Sequence, residues 1–564
     1  MKKIYTILVS TLLLILLFPA CSSDDNNEPL PPPLPEPTPV VDTIYLDYSL
    51  KKMLVGDTFL LGVTAMIDSE ETSDITWSSS NASVATVDDD GRVRAVGSGV
   101  AIVTVSLDAK PDKLATCTVE VVNNSSTHNY KYRLVLRDKE GSGYSVNNPE
   151  EFLTPKSIQR RQRQNIAIDA TDLPIPTQYI ELIEGLGGIV VAKSKWLNTV
   201  TVLCTEEYMA DEYRALPFVE DVVFVWQGVK YGRSASYRSD KLSLRETPVA
   251  SKSVTAGIYG NAEVNITPNN GIVLHQAGYK GEGMTIAVLD AGFAGTQDID
   301  FMNRNVKAGK SFVYEVEDVY TSYNHGTAVL SCMAANKANH FVGTAPAADY
   351  WLFQTEDEDS EYPVEEDYWV AAAEYADSIG VDLINSSLAY TDYDAPAVSY
   401  TYNDMNGRKA LASRGADMAV NKGIFVVVSA GNSATWVGTP ADGRNVLTVG
   451  GIESNGSIYD ASSYGVTVDG RMKPDVLALG YRTGVVSSNS GNVGFVQGTS
   501  FSSPIMCGLA ACLWQANPSL TAKELLQVMR NSGNRASNPV VPFGYGVPDM
   551  QRAMQLAEEV SAAR

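Results

Sequence analysis

Thr285-Ile286-Ala287-Val288-Leu289-Asp290-Ala291-Gly292 is the stretch on which the fold turns. Its uncharged opening, rich in branched side chains, suits a strand buried on both faces, as in a parallel sheet covered by helices. The run stops at a carboxylate, so Asp290 is expected at the carboxyl end of that strand, where open α/β sheets place ligands. Further on, Ile424-Phe425-Val426-Val427-Val428-Ser429-Ala430-Gly431-Asn432 repeats the pattern, a buried strand ending in an amide. Apolar strands alternate with helical patterns from Gly271 to Glu559, which makes 269–560 an α/β domain with a parallel sheet between helices.

Two more stretches bring chemistry to that frame. His325-Gly326-Thr327 opens a helix running through Ala335, in a chain with 4 histidines. Gly498-Thr499-Ser500-Phe501-Ser502-Ser503-Pro504 precedes an apolar helix predicted over 505–515, with the proline tolerated in its first turn. A serine hydroxyl is a weak nucleophile at neutral pH and needs a base whose proton affinity matches the working pH, which imidazole supplies. A carboxylate then fixes the imidazole tautomer and stabilises the imidazolium.

Taken together, V-L-D-A-G, N-H-G-T and G-T-S-F-S-S-P, in that order, resemble the three motif blocks of the subtilases. The resemblance covers about half the chain. It implies a serine endopeptidase with Asp290, His325 and Ser500 as its triad, acting on extended polypeptides through an acyl-enzyme and needing no cofactor for the chemistry. Ile424 to Asn432 is similar to the family's oxyanion segment, so Asn432 is expected to donate to the oxyanion beside Ala430 and Gly431. Asn385-Ser386-Ser387-Leu388-Ala389 resembles the substrate-pairing strand, which makes Ser386, Ser387 and Leu388 expected substrate contacts. Two departures stand out. Ala291 lacks the hydroxyl that subtilases often carry beside the acid, and Ala389 and Tyr390 replace a common pair of glycines, which predicts a narrowed cleft. Subtilases often bind structural calcium, yet no loop here spells an oxygen-ligand pattern, and no metal site is named.

The rest of the chain is organised around this domain. Residues 41–122 read as short alternating strands broken by Asp90-Gly91 and Gly97-Ser98-Gly99, a β-sandwich pattern. The string Thr76-Trp77-Ser78-Ser79-Ser80-Asn81, with Val84 to Val87 and Gly91-Arg92-Val93, is similar to bacterial immunoglobulin-like domains of group 2, and a spacer role is the default. Residues 129–230 alternate strands and helices in an α+β plan that resembles a ferredoxin-like subtilase propeptide, which assists folding and inhibits the enzyme. Residues 231–268 read as a polar, exposed linker.

At the amino end, Lys2 and Lys3, an apolar run from Ile7 to Phe18 and Pro19-Ala20-Cys21 read as an export signal over 1–20. The small residue before Cys21 resembles a lipobox, which implies lipid on Cys21. The acidic and proline-rich stretch 21–40 then resembles the tether of outer-membrane, surface-exposed lipoproteins. Autocleavage in the linker would release the catalytic domain. The contending reading is a surface adhesin with an inert peptidase-like domain.

Bulk composition agrees with several folded units, since 564 residues exceed one core and 44% are hydrophobic. A formal net charge of −23 argues against nucleic-acid partners. Of 6 cysteines, the five beyond Cys21 show no metal spacing and an odd number, so no disulfide framework is expected; Cys332 and Cys507 are expected in the core.

Overall fold

A computed structural model describes residues 43–67, 70–122, 128–229, 245–246 and 257–564, apart from positions 317, 322 and 358. The expected signal segment, Cys21, the tether and the 231–256 linker other than 245–246 lie outside the described residues.

The carboxyl-terminal unit is built on seven parallel strands, in the order Val306–Ser311, Asp349–Gln354, Thr285–Asp290, Leu383–Ser386, Phe425–Ser429, Leu447–Ile452 and Val476–Leu479. Consecutive residues of Thr285–Asp290 and Phe425–Ser429 are all buried, so both sheet faces are covered, as the unbroken apolar runs require. The first strand in sequence lies third in space. The chain passes from it to the edge strand Val306–Ser311, returns to Asp349–Gln354 beside it, then crosses to Leu383–Ser386 on its other side and moves outward, which makes its carboxyl end the switch point of the sheet. Helix Thr499–Ala516 crosses the strands from Leu383 to Leu479 and packs on helix His325–Ala334.

Residues 43–122 form short strands in three small sheets around Val93, Val103, Cys117 and Val119. Residues 128–229 form a four-stranded antiparallel sheet, ordered Ile189–Ser194, Thr199–Cys204, His128–Leu136 and Val219–Val229, with helix Thr177–Gly185 before the second strand in sequence and Met209–Arg214 before the fourth. One further helix, Pro155–Arg163, starts with Thr154 accepting from the Ser157 N–H and a proline in its first turn.

This second unit is docked on the third. One face of its sheet, with Ile189, Val191, Leu203 and Trp226, shares an apolar cluster with Val364 and Tyr368 on helix Val364–Ser378 and with Tyr362 just before it. Buried acids of that helix are then matched by partners from the second unit. Asp367 accepts from Arg133 Nε at 2.7 Å and Nη2 at 2.5 Å, and from the Thr201 hydroxyl at 2.7 Å. Glu374 accepts from the Ser194 hydroxyl at 2.6 Å and the backbone N–H groups of Lys195 and Trp196, both at 2.9 Å. Asp377 binds Arg160 and, at 2.6 Å, Arg161.

The linker ends sooner than the sequence suggests. Tyr259, Ala262 and Ile266 are buried in the core of the third unit, and Asn265 exchanges hydrogen bonds with the Gly484 backbone, so residues 257–268 belong to the third unit and not to the linker. All five described cysteines are free and buried, and burial pushes the Cys332, Cys507 and Cys512 thiols well above the ordinary range.

Candidate active site

Asp290 is the last residue of its strand and its carboxylate is fully buried. Oδ1 accepts the Ala291 N–H at 2.9 Å and lies 2.7 Å from His325 Nδ1. An ionised carboxylate can only accept, so Nδ1 carries the proton and the neutral ring keeps its lone pair on Nε2. Oδ2 is buried without a hydrogen-bond partner among the described residues. His325 opens its helix with its side chain 24% exposed, and its ring rests against Phe501 with centroids 5.7 Å apart. That contact brings the imidazole to the residue beside Ser500.

The helix predicted from Ile505 begins six residues earlier, at Thr499, so Ser500 stands in its first turn and Pro504 one turn deeper. Gly498 enters with φ of 139°, a backbone that suits glycine. The first helical N–H has no partner within the helix, and Asn432 supplies one: its Oδ1 accepts from Thr499 N at 2.8 Å and from the Thr499 hydroxyl at 3.0 Å. A backbone N–H only donates, so the atom facing it is the amide oxygen. Asn432 Nδ2 is left on the other side, beside Gly498, where a Cβ would come within 3.5 Å of it.

Pro504 has another effect, through the N–H it lacks. Residue i−4 of a helical proline loses its hydrogen bond, and here that residue is Ser500. The orphaned Ser500 carbonyl accepts from the Ser387 hydroxyl at 2.8 Å. In return the Ser500 hydroxyl faces the Ser387 carbonyl, 3.4 Å away. A change of χ1 moves that oxygen with no backbone shift. The sequence held the signal for this pairing in the spacing of Ser500 and Pro504. Thr499 as the residue that orients Asn432 was missed, because its partner is 67 positions away.

The expected substrate contacts divide. Ser387, Leu388 and Gly431 keep some exposure, whereas Ser386 and Ala430 have none and present no surface to a ligand. The reason is the sheet: Ser386 is the last residue of its strand with its hydroxyl taken by Trp369 Nε1 at 3.0 Å, and the Ala430 N–H bonds the Val449 carbonyl. Tyr390 also departs from expectation. Its ring is 1% exposed and its hydroxyl is bound to Glu356, so it does not narrow an open cleft; Ala389 is exposed and faces Gly438.

A carboxylate-bound imidazole at the switch point, a serine at a helix start and an oriented amide form one constellation, and residues 281–547 match the model of the subtilase family. These residues are a subtilase domain. Residues 131–241 match the Peptidase S8 propeptide domain of Bacteroidota, and residues 40–119 the bacterial Ig-like domain of group 2. Subtilisin NAT of Bacillus subtilis subsp. natto is 29% identical over 289 residues, 50% of this chain and 68% of that protein. Alkaline elastase YaB of Bacillus sp. (strain YaB) is 26% identical over 285 residues, 50% of this chain and 67% of that protein. Among solved structures, a protease of Pseudoalteromonas arctica PAMC 21717 aligns with a TM-score of 0.42 and 19% identity, over 54% of this chain and 99% of that one. The subtilase domain and its likeness to subtilisins support a serine peptidase.

Proposed function

We propose that the chain is the precursor of a serine endopeptidase in which Asp290, His325 and Ser500 are the catalytic triad. The observation that carries this reading is the 2.7 Å contact between Asp290 Oδ1 and His325 Nδ1 at the sheet's switch point, one helix start from Ser500. Ser500 Oγ attacks the scissile carbonyl carbon while His325 Nε2 takes its proton, and the buried Asp290 carboxylate stabilises the resulting imidazolium. The oxyanion accepts from Asn432 Nδ2 and the Ser500 N–H. His325 returns the proton to the leaving amine, and water, with His325 again as base, hydrolyses the acyl-enzyme. No metal or cofactor enters these steps.

The cleft is bounded by Ser387, Leu388, Ala389 and Gly431, segments just beyond two strand ends that suit an extended peptide. Ala389 narrows the pocket for the residue before the scissile bond, and a peptide-library profile dominated there by large aromatics would contradict this. Residues 131–229 act as a ferredoxin-like inhibitory propeptide. The apolar leader and Cys21 support export and lipid anchoring at the outer cell surface, from which processing frees the catalytic part; Cys21→Ser is expected to shift the precursor from the membrane to the soluble fraction.

A fluorophosphonate probe tests the central reading. It is expected to label the wild type and not Ser500→Ala, and equal labelling, or none in processed wild type, overturns it.

A further inference from the structure

The immunoglobulin-like unit does not stand clear of the rest. Its strand Leu50–Leu54 runs beside the propeptide domain, with Lys52 Nζ donating to the Glu184 carbonyl at 2.8 Å and Lys51 Nζ to the Val190 carbonyl at 3.4 Å. The same unit also reaches the subtilase domain. Asp47 pairs with Lys310, and Asp57 Oδ2 accepts from the Tyr314 hydroxyl at 2.6 Å. Leu54 is buried in the cluster that holds Val191 and Val313, so one residue of each unit shares one apolar core.

These acids are prepared for their partners. Asp47 Oδ1 accepts the Gly62 N–H at 2.9 Å, and a Cβ on Gly62 would come within 2.7 Å of Asp47 Oδ2 and 3.2 Å of Lys310 Nζ. Glycine there leaves room for the pair. Asp57 Oδ2 is likewise fixed by the Leu54 N–H at 2.8 Å. Lys51 Nζ sits over Tyr48 and Phe59 of its own unit and Tyr314 of the subtilase domain, 4.6, 5.2 and 5.5 Å from their centroids. The three units meet around a cavity of about 300 Å³ walled in part by Tyr48, Lys51, Lys193 and Lys310. A joint with charged pairs and a void is docked, unlike a continuous core, and can part without unfolding its members.

We propose that the immunoglobulin-like unit is a second anchor of the inhibitory module, gripping the subtilase domain at Lys310 and Tyr314 while the propeptide grips helix Val364–Ser378. The inference rests on the inhibitory reading of the propeptide given above. Two linked contacts make rebinding intramolecular after either one lets go, which raises overall affinity by about 10²–10⁴-fold when both are engaged. Hydrolysis of the chain between the propeptide and subtilase domains then leaves the inhibitory module in place, and activity follows only when both contacts have opened.

Two measurements on the full chain test this. In the Ser500→Ala background, adding Lys310→Ala and Tyr314→Phe is expected to speed amide hydrogen exchange at 50–54 and 310–316 by at least about tenfold; unchanged exchange overturns the proposal. Tyr314→Phe alone and Asp57→Asn, the gentler changes on the two sides, are expected to shift it in the same direction. In the active chain, nicking on gels is compared with the appearance of peptide hydrolysis. The wild type is expected to nick first and gain activity after a lag, and Lys310→Ala/Tyr314→Phe to nick at the same rate with the lag shortened about tenfold or more. Equal lags overturn the proposal. If the wild type neither nicks nor reacts with a fluorophosphonate, the peptidase reading falls instead, and the exchange measurement alone decides the anchor.

Discussion

Asp290 and the acids of helix Val364–Ser378 are all buried carboxylates, yet they are treated in opposite ways. Asp367 and Glu374 are surrounded by donors, three hydrogen bonds to each from the docked propeptide domain. Asp290 has one oxygen shared between His325 and the Ala291 N–H and another with no partner among the described residues. A fully satisfied carboxylate has little to gain from a new positive charge, and serves to hold. An under-satisfied one gains most when the neighbouring imidazole becomes a cation, which suits the proposed step in which charge appears.

The comparison can be broken at either end. Asp290→Asn is expected to lower turnover about 10⁴-fold, since the amide favours the wrong imidazole tautomer, while the unfolding midpoint stays near that of the wild type. Arg133→Ala strips two of the three donors from Asp367, and breaking such a buried pair is expected to weaken docking by about 3–5 kcal/mol, read by denaturant titration in the Ser500→Ala background. The released Arg133→Ala enzyme should keep the wild-type kcat; a lower one would mean the docking acids also serve catalysis. Asn432→Ala is expected to cost about 10²–10³-fold in kcat with KM little changed, and a change confined to KM would remove Asn432 from the oxyanion site.

Smaller effects sharpen the contrast. Ala291→Ser gives Asp290 Oδ2 a donor worth about 0.5–1.5 kcal/mol, so turnover is expected to rise by no more than about tenfold; a fall would show that the bare oxygen is preferred. Burial holds the Glu374 carboxyl above the usual glutamate range despite its three donors. Because that burial comes with docking, the docked form holds the proton more tightly, and docking is strongest below the ordinary glutamate pKa and weakens as pH rises through the raised value. Arg161 and Lys422 hold Asp172 below the usual range against the opposing effect of its burial, and the contribution of that group is lost only as pH falls through its lowered value. Propeptide release is therefore expected to quicken as pH rises from the ordinary glutamate range through the raised Glu374 value, and Glu374→Gln to flatten the profile.

The strands and the residues that follow their ends were legible because each is announced locally. Thr285–Leu289 and Phe425–Val428 are apolar without interruption, and Asp290, His325, Ser500 and Asn432 stand at element ends marked by glycine or a change of pattern. What stayed hidden depends on partners distant in sequence. Nothing near Ser386 shows that Trp369 takes its hydroxyl, nothing near Tyr390 that Glu356 turns it inward, and nothing near Asp47 that Lys310 lies opposite. The start of the serine helix was placed at Ile505 because Thr499 to Ser503 is mostly small and polar and lacks the apolar pattern of the turns that follow.

That interior proline has an outcome beyond the helix it interrupts. By vacating one carbonyl it lets Ser387 fasten the first turn of that helix to the segment that follows strand Leu383–Ser386, a tie between positions 113 apart in the chain. Exposed positions between residues 389 and 403 can therefore be exchanged in redesign while the proposed nucleophile keeps its place beside Ser387.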